Sequence, residues 1–354
     1  MSDLVKDMTV LAEHTTLGVG GPAGSYAEAV TSGRLIGLVA AADTEGTPVL
    51  ILAGGSNVVI ADEGFAGLVV RPAATDGTRA DLPDGSVLLD FGAGRDWDDL
   101  VAETVAEGLS GIEALSGIPG SLGAAPLQNI GAYGQELSET LHGVQVYDRK
   151  LRRTWQFSNA DCAFSYRNSI FKQTDRYVIL SVQLRLTPGG LSRPVRYREL
   201  ADRLGVDTGA SVPLADLREA VLELRRGKGM VLDPADPDTR SAGSFFMNPI
   251  VPEETAAAIP SAPRWPAGSG TVKLSAAWLI EQAGFKRGYS GGRDTVALSA
   301  KHTLALTNRG GATAADLVSL AAEVRDGVLA AFGIELVPEP RLIGLSLPQA
   351  GVPA

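Results

Sequence analysis

The sequence predicts an α+β chain of more than one domain, and three observations predict it. Its 354 residues exceed what one small core organises. Short apolar runs bounded by glycine and proline alternate with stretches of helical periodicity, so strands and helices are interleaved. The 42 glycines gather in loops instead of spreading evenly.

The first region, residues 1–73, reads as a small α/β unit. Leu35, Leu38 and Val39 form a helical face ahead of VLILAGG (49–55), a buried strand ending in glycines, and GLVVRPA (67–73) is another short strand. In the second region, 74–207, SVLLDFGAG (86–94) is a strand. Asp96 then caps a helix that begins near Trp97, with Asp99 at its third position. Strands follow at VQVYD (144–148), TWQFS (154–158) and RYVILSVQLRL (176–186), and TPGGLSRP (187–194) is a turn-rich break.

The third region, 208–333, carries helical periodicity in ADLREAVLELRRGK (215–228) and LSAAWLIEQAG (274–284). A final helix over 314–332 places Leu317, Leu320, Ala321, Val324 and Val328 on one stripe. VPEPRLIGLSL (337–347) reads as a last strand and LPQAGVPA as a loose tail.

Charge and cysteine content narrow the function classes. A net charge of −10 argues against a general nucleic-acid or membrane-surface role, although backbone amides bind phosphate even within an acidic protein. The single cysteine, Cys162, excludes an intrachain disulfide and fits a reducing cytoplasm. His14, His142 and His302 are too scattered for metal-ligand spacing, so no metal is expected. The first residues are acidic and weakly apolar, unlike a signal peptide, and nothing approaches the length of a membrane span.

Two glycine loops stand out. GGSN, comprising Gly54, Gly55, Ser56 and Asn57, follows directly on VLILA and exposes backbone N–H groups at a strand end. Such a nest suits a phosphate or pyrophosphate; a plain turn is the alternative. The segment 111–137 interleaves Gly111, Gly117, Gly120, Gly123, Gly131 and Gly134 with Ser116, Ser121, Gln128, Asn129 and Tyr133. It is too glycine-rich for a continuous helix and too apolar for a disordered linker. A backbone wrapped around a large flat or phosphorylated ligand accounts for both properties, and a mobile surface loop is the alternative. GVGGPA (18–23) has dinucleotide-fingerprint spacing, but no buried strand precedes it and Gly21–Pro22 favours a turn.

SAGSFFMNP (241–249) presents one hydroxyl, Ser244, between a glycine and the bulky Phe245 and Phe246. Alone it also fits an ordinary strand start. Together with GGSN, SGIPGSLGAAPLQNIGAYG, SYRNS (165–169) and PEPRLIG (338–344), it forms a set of five ordered segments. In that order the chain resembles the UDP-N-acetylenolpyruvoylglucosamine reductases, over essentially residues 14–344.

The resemblance implies an FAD-binding domain of the vanillyl-alcohol-oxidase/p-cresol-methylhydroxylase type in two subdomains. These would be 1–73, completed by the C-terminal strand of 334–354, and 74–207, with an α/β substrate-binding domain at 208–333. It implies noncovalent FAD, with NADPH as hydride-donating co-substrate. The reaction implied is reduction of the enolpyruvyl ether of UDP-N-acetylglucosamine to UDP-N-acetylmuramate, in peptidoglycan precursor synthesis. Cofactor contacts carried over are Gly54, Gly55, Ser56, Asn57, Ser116, Gly117, Pro119, Gly120, Ser121, Gly123, Ala124, Gln128, Asn129, Gly131, Ala132, Tyr133 and Gly134.

The chemistry of that reaction explains the residue types. Hydride reaches the vinyl carbon, negative charge builds beside a carboxylate, and a site must stabilise that charge and then protonate the carbon. Arg167 suits the carboxylate and Glu339 donates a hydrogen bond if held protonated. Ser244 is by family match the general acid. Carried over for substrate are Tyr166, Tyr197 in RPVRYREL, Lys228 in RRGKGM, Asn248 and Gln282. Tyr197 lies on a segment that marks the type I subgroup. Met247 is a departure, since many relatives have lysine there. A cytoplasmic monomer without nucleic-acid or membrane partners is expected. Two other readings stay open: a flavin alcohol oxidase or dehydrogenase on the same scaffold, and a flavin-free protein that binds a nucleotide sugar.

Overall fold

The computed structural model describes residues 6–172 and 174–349, so the end of the expected loose tail, 350–354, lies outside the described residues. The chain forms two compact units. The first takes the chain up to Thr9, Ala23–Gly54 and Ala66–Gly227; the second takes Val10–Pro22, Gly55–Phe65 and the chain from Lys228 onward.

In the first unit, helix α1 (Ser32–Glu45) starts where Thr31 accepts the Arg34 N–H at 3.1 Å and stops at left-handed Gly46. Its Leu35, Leu38, Val39 and Ala42 make one buried stripe against Val178 and Leu180. Those two residues lie on the strand Tyr177–Pro188, the centre of an antiparallel sheet. The strand order is Arg153–Ser158, Leu141–Asp148, Tyr177–Pro188, Val87–Gly92, Gly77–Asp81, with Leu109–Ser110 added beside Thr187 and Pro188. Further along the same central strand, Val182, Leu184 and Leu186 join Trp97, Leu100 and Val101 of helix α2 (Trp97–Ala106). Asp96 caps α2 by accepting the Asp99 N–H at 3.0 Å, the pairing expected from the sequence. A second sheet pairs Lys6–Asp7, Ala23–Ala29, Phe65–Pro72 and Val49–Ile51 in that order.

Two further helices, α3 (Arg198–Leu204) and α4 (Leu214–Gly227), also belong to the first unit. A sequence division at 208 assigns α4 to the third region. Its apolar face instead packs with Ala114, Val195, Leu200 and Ala201 through Leu217, Ala220 and Val221. Periodicity shows that α4 has a buried face but not which surface buries it.

In the second unit, helices and hairpins surround one core. Helix α5 spans Glu253–Ala257, α6 spans Ala276–Gln282 and α7 spans Ala314–Phe332. Thr313 and Asp316 form a reciprocal capping box at the start of α7, and Asp62 accepts from Ala314 and Ala315 N–H groups at 2.7 and 3.0 Å. Leu317, Leu320, Ala321, Val324 and Val328 meet Leu279, Ile280, Phe245, Phe246, Val59 and Leu336 in that core. Arg341–Ile343 runs parallel beside Val58–Ile60. The last strand is shorter than 337–347: it begins after Pro338 and Pro340, which lack ladder donors, and stops before left-handed Gly344.

Candidate functional site

The glycine-rich segment of the first unit is a fixed structure, held by buried polar groups. Short 3-10 turns at Glu113–Leu115, Leu122–Gln128 and Leu137–Glu139 replace any continuous helix. The fully buried Glu113 carboxylate accepts from Gln135 Nε2 at 3.0 Å and from the Arg193 N–H at 2.7 Å. Gln135 Oε1 in turn accepts the Ala114 N–H at 2.9 Å. Ser116 is buried and donates to the Glu113 carbonyl at 2.7 Å. Asn129, also buried, donates to Glu136 at 2.8 Å and accepts the Ser138 N–H at 2.9 Å. Both side chains are thus engaged in the loop's own architecture.

Other parts of the segment are shaped for close approach. A Cβ on Gly54 would lie 2.6 Å from Gly120 Cα, so the two backbones touch only because residue 54 carries no side chain. Ser121 Oγ is buried and makes no hydrogen bond among the described residues. Asp98 Oδ1 accepts the Gly117 N–H and Arg218 Nη1, while Oδ2 accepts Arg218 Nη2 at 2.9 Å. Burial pushes the Asp98 carboxyl up, but the Arg218 and Gly117 hydrogen bonds outweigh it and hold it below its ordinary value.

SYRNS forms a tight turn closed by Ser165 and Asn168, with Arg167 in the left-handed region at φ 53°. Non-glycine residues enter that region at a cost, and such strain concentrates at functional positions. Arg167 Nη2 donates to the Gly131 carbonyl at 2.8 Å, and its guanidinium lies 5.6 Å from the Tyr166 ring centre. Close by in the loop, Tyr133 meets Tyr197 edge-on at 5.6 Å, with Tyr197 45 % exposed at the start of α3. Burial pushes the Tyr133 hydroxyl up to about 12, and burial draws the Arg225 guanidinium down.

In the second unit the far half of GGSN and PEPRLIG are adjoined. Arg341 N–H donates to the Asn57 carbonyl at 3.0 Å, and Asn57 Nδ2 lies 3.4 Å from the Glu339 carbonyl. Gly55 sits at φ 59°, where a Cβ would meet the His14 carbonyl. Around Ser244, the Phe245 N–H bonds the Leu304 carbonyl at 2.7 Å and the Met247 N–H bonds Val337 at 3.0 Å. Phe245 and Phe246 are each 1 % exposed and pack edge-on, which anchors the partly exposed Ser244 between them and Gly243.

Not every expected substrate residue is placed alike. Asn248 gives its side-chain oxygen to the Ala276 N–H at 2.9 Å, at the start of α6. Gln282 is exposed at the end of α6, and Lys228 is partly buried just after α4. His302 was not singled out by sequence, yet its Nε2 lies 3.5 Å from Ser244 Oγ. It is 58 residues from Ser244 along the chain, and no motif signals it. Among the described residues, no three His, Cys, Asp or Glu side chains are grouped to hold a metal, and no helix is long and apolar enough to cross a membrane.

Comparison with known proteins decides the family. A chain called UDP-N-acetylenolpyruvoylglucosamine reductase from Thermobifida fusca (strain YX) is 55 % identical over 95 % of this chain and 97 % of its own length. This protein belongs to the UDP-N-acetylenolpyruvoylglucosamine reductase family. The relative from Saccharopolyspora erythraea is 53 % identical, covering 96 % of each chain. The crystal structure of the reductase from Thermus caldophilus covers 97 % of this chain with TM-score 0.67 and 25 % identity. The family's C-terminal domain profile matches residues 234–343, within the second unit. An FAD binding domain profile matches residues 25–150, which includes the whole glycine segment 111–137.

The reductase's residues fit that cofactor. Ser121 Oγ, buried and without a protein partner among the described residues, is a polar group prepared for a ligand. The glycine-rich loop around it offers backbone amides, the kind of donor that binds phosphate.

Proposed function

We propose that this reductase converts the enolpyruvyl ether of UDP-N-acetylglucosamine to UDP-N-acetylmuramate, with noncovalent FAD and NADPH as hydride donor. Bound FAD supplies hydride transfer from NADPH to the vinyl carbon of the substrate. Of the first unit, Gly54, Gly117, Pro119, Gly120, Ser121, Gly123, Ala124, Gln128 and the 131–134 turn are assigned to the cofactor, with Ser116 and Asn129 shaping that loop. Of the second unit, Gly55, Ser56 and Asn57 are assigned to it.

Arg167 offers the substrate carboxylate a permanent positive charge, and Tyr166 and Tyr197 help bind the substrate. Glu339, if protonated, donates a hydrogen bond where charge builds. Ser244 transfers its hydroxyl proton to the carbanionic carbon, which is basic enough to take it. Lys228, Asn248 and Gln282 are assigned to the nucleotide sugar. The protein is proposed to act as a type I member and a cytoplasmic monomer in peptidoglycan precursor synthesis, without nucleic-acid or membrane partners.

The observation that carries this reading is the pairing of the Ser244–Phe246 segment with Pro338–Glu339, through the Phe246–Pro338 bridge and the 2.8 Å bond from Glu339 N–H to the Phe245 carbonyl. Anaerobic stopped-flow mixing with NADPH, then with the enolpyruvyl nucleotide sugar, tests it. Bleaching of a flavin by NADPH and its return on adding substrate are expected. A flavin that only oxygen reoxidises would reject the assignment in favour of an oxidase.

A further inference from the structure

We propose that His302 is a positioning residue for Ser244, holding its hydroxyl and restoring its proton after each turnover. This rests on the reading of Ser244 as proton donor. A serine that protonates carbon is left as an alkoxide, which water-exposed neighbours neutralise poorly. Something beside it must return a proton near neutral pH, and histidine is the side chain suited to that exchange.

The second unit builds a contact of this kind. Ser244 Oγ and His302 Nε2 are 3.5 Å apart, a spacing that tightens into a catalytic hydrogen bond once substrate is bound. Both partners are held from the same place. The Phe245 N–H, next to Ser244, bonds the Leu304 carbonyl at 2.7 Å, two residues beyond His302. The turn that carries His302 is closed on itself: Ser299 Oγ accepts the N–H groups of Lys301 and His302 at 3.0 and 3.2 Å, and Ala305 N–H bonds the His302 carbonyl at 3.0 Å.

Other charged groups occupy the neighbouring elements. Asp236 pairs with Lys301, and Asp238 pairs with Arg309 at 2.8 Å while accepting the Ala300 N–H at 2.9 Å. Glu281 on α6 accepts from Thr303 and lies 3.7 Å from Arg287, and the Glu339 N–H bonds the Phe245 carbonyl. Of the ionisable groups on this turn, His302 is the one in contact with the Ser244 hydroxyl.

The proton count closes. The Ser244 O–H bond breaks as the carbon–hydrogen bond forms, and the electron pair stays on Oγ. The imidazolium Nε2–H bond then breaks as the serine O–H bond reforms, and neutral His302 takes a proton from water. No oxidant or reductant enters this step.

His302→Gln tests the proposal on the FAD-loaded enzyme, because a glutamine amide holds a hydroxyl but does not exchange its proton. Flavin reduction by NADPH is expected to stay within about twofold, and reoxidation by the enolpyruvyl substrate to slow about tenfold or more. Wild-type reoxidation is expected to fall as pH rises from about 6 to 8, and His302→Gln to flatten that fall. A variant with the wild-type pH profile overturns the proposal, while Ser244→Ala still cripples reoxidation. If Ser244→Ala reoxidises normally, the proton-donor reading itself fails. A measurement without turnover covers a variant that does not fold. With three histidines in the chain, NMR titration of the His302 imidazole is tractable. Its midpoint is expected to move in Ser244→Ala, and an unmoved midpoint overturns the contact.

Discussion

The backbone N–H of Glu339 donates to the carbonyl of Phe245 at 2.8 Å, which ties the residue after Ser244 to PEPRLIG across a long stretch of sequence. With Phe246 bridged to Pro338, any shift of one segment moves the other. Two of the three proposed catalytic side chains are therefore displayed from one piece of backbone pairing, and their spacing is a property of the second unit.

Replacing Ser244 with alanine should leave flavin reduction by NADPH intact and slow reoxidation by substrate about 10²–10⁴-fold, the usual contribution of a general acid. Ser244→Cys should retain more activity, since a thiol still donates a proton. Stopped-flow comparison of the two half-reactions decides; equal losses in both would remove the proton-donor role.

Asp98→Asn should destabilise the protein by about 1–3 kcal/mol at neutral pH, by weakening charge-assisted bonds to Arg218 and Gly117. The Asp98 carboxyl is held below its ordinary value, so the stability it adds is present above the unfolded carboxylate range and lost as pH falls through the folded value. Denaturant melts of both proteins at neutral pH and below about pH 4 should show the difference closing in acid. A constant difference would mean that the charge of Asp98 contributes nothing.

Gly54→Ala should cost about 1–3 kcal/mol and lower the flavin retained on purification, because its Cβ would overlap Gly120. Gly37, exposed inside α1 with nothing near a built Cβ, is the contrast. Gly37→Ala should gain about 0.5–1 kcal/mol with flavin content unchanged. Melting temperature and flavin absorbance report both; a Gly54→Ala protein of full stability and colour would remove the close approach from the cofactor argument.

Tyr197→Phe should raise the Michaelis constant for the nucleotide sugar several-fold, about 1 kcal/mol for one hydroxyl, and leave flavin affinity unchanged. The edge-on contact with Tyr133 needs only the ring, so the variant keeps its packing. An unaltered constant would take Tyr197 out of the substrate site.

Cys162 should be inert in the native protein. Its thiol is fully buried and burial, helped by Asp161, pushes it up to about 12, so almost no thiolate exists at pH 8. A disulfide reagent should titrate one thiol only after unfolding; rapid reaction of the native protein would contradict this burial.

Local signals were legible in the sequence and remote partners were not. The limits of α7 follow from the Thr313 and Asp316 cap and from Gly333, all within a few residues. Asp96 marked the start of α2 for the same reason. The path of the glycine segment is set by Glu113, Gln135 and Asn129, whose buried bonds no periodicity reveals. The helix α4 showed its stripe but not its partners, which include Ala114, Val195 and Leu200. His302 beside Ser244 depends on two loops meeting in space, which spacing along the chain does not encode.

The parallel pairing of Arg341–Ile343 with Val58–Ile60 has a consequence for how the protein is made. Val59 and Ile60 end wholly buried, yet their partner strand is translated long after them. Throughout synthesis that early strand waits with an open, apolar edge, the kind that recruits neighbouring nascent chains. Yield of the enzyme in a cell should therefore be sensitive to chaperone supply and to anything that delays translation of that distant partner strand.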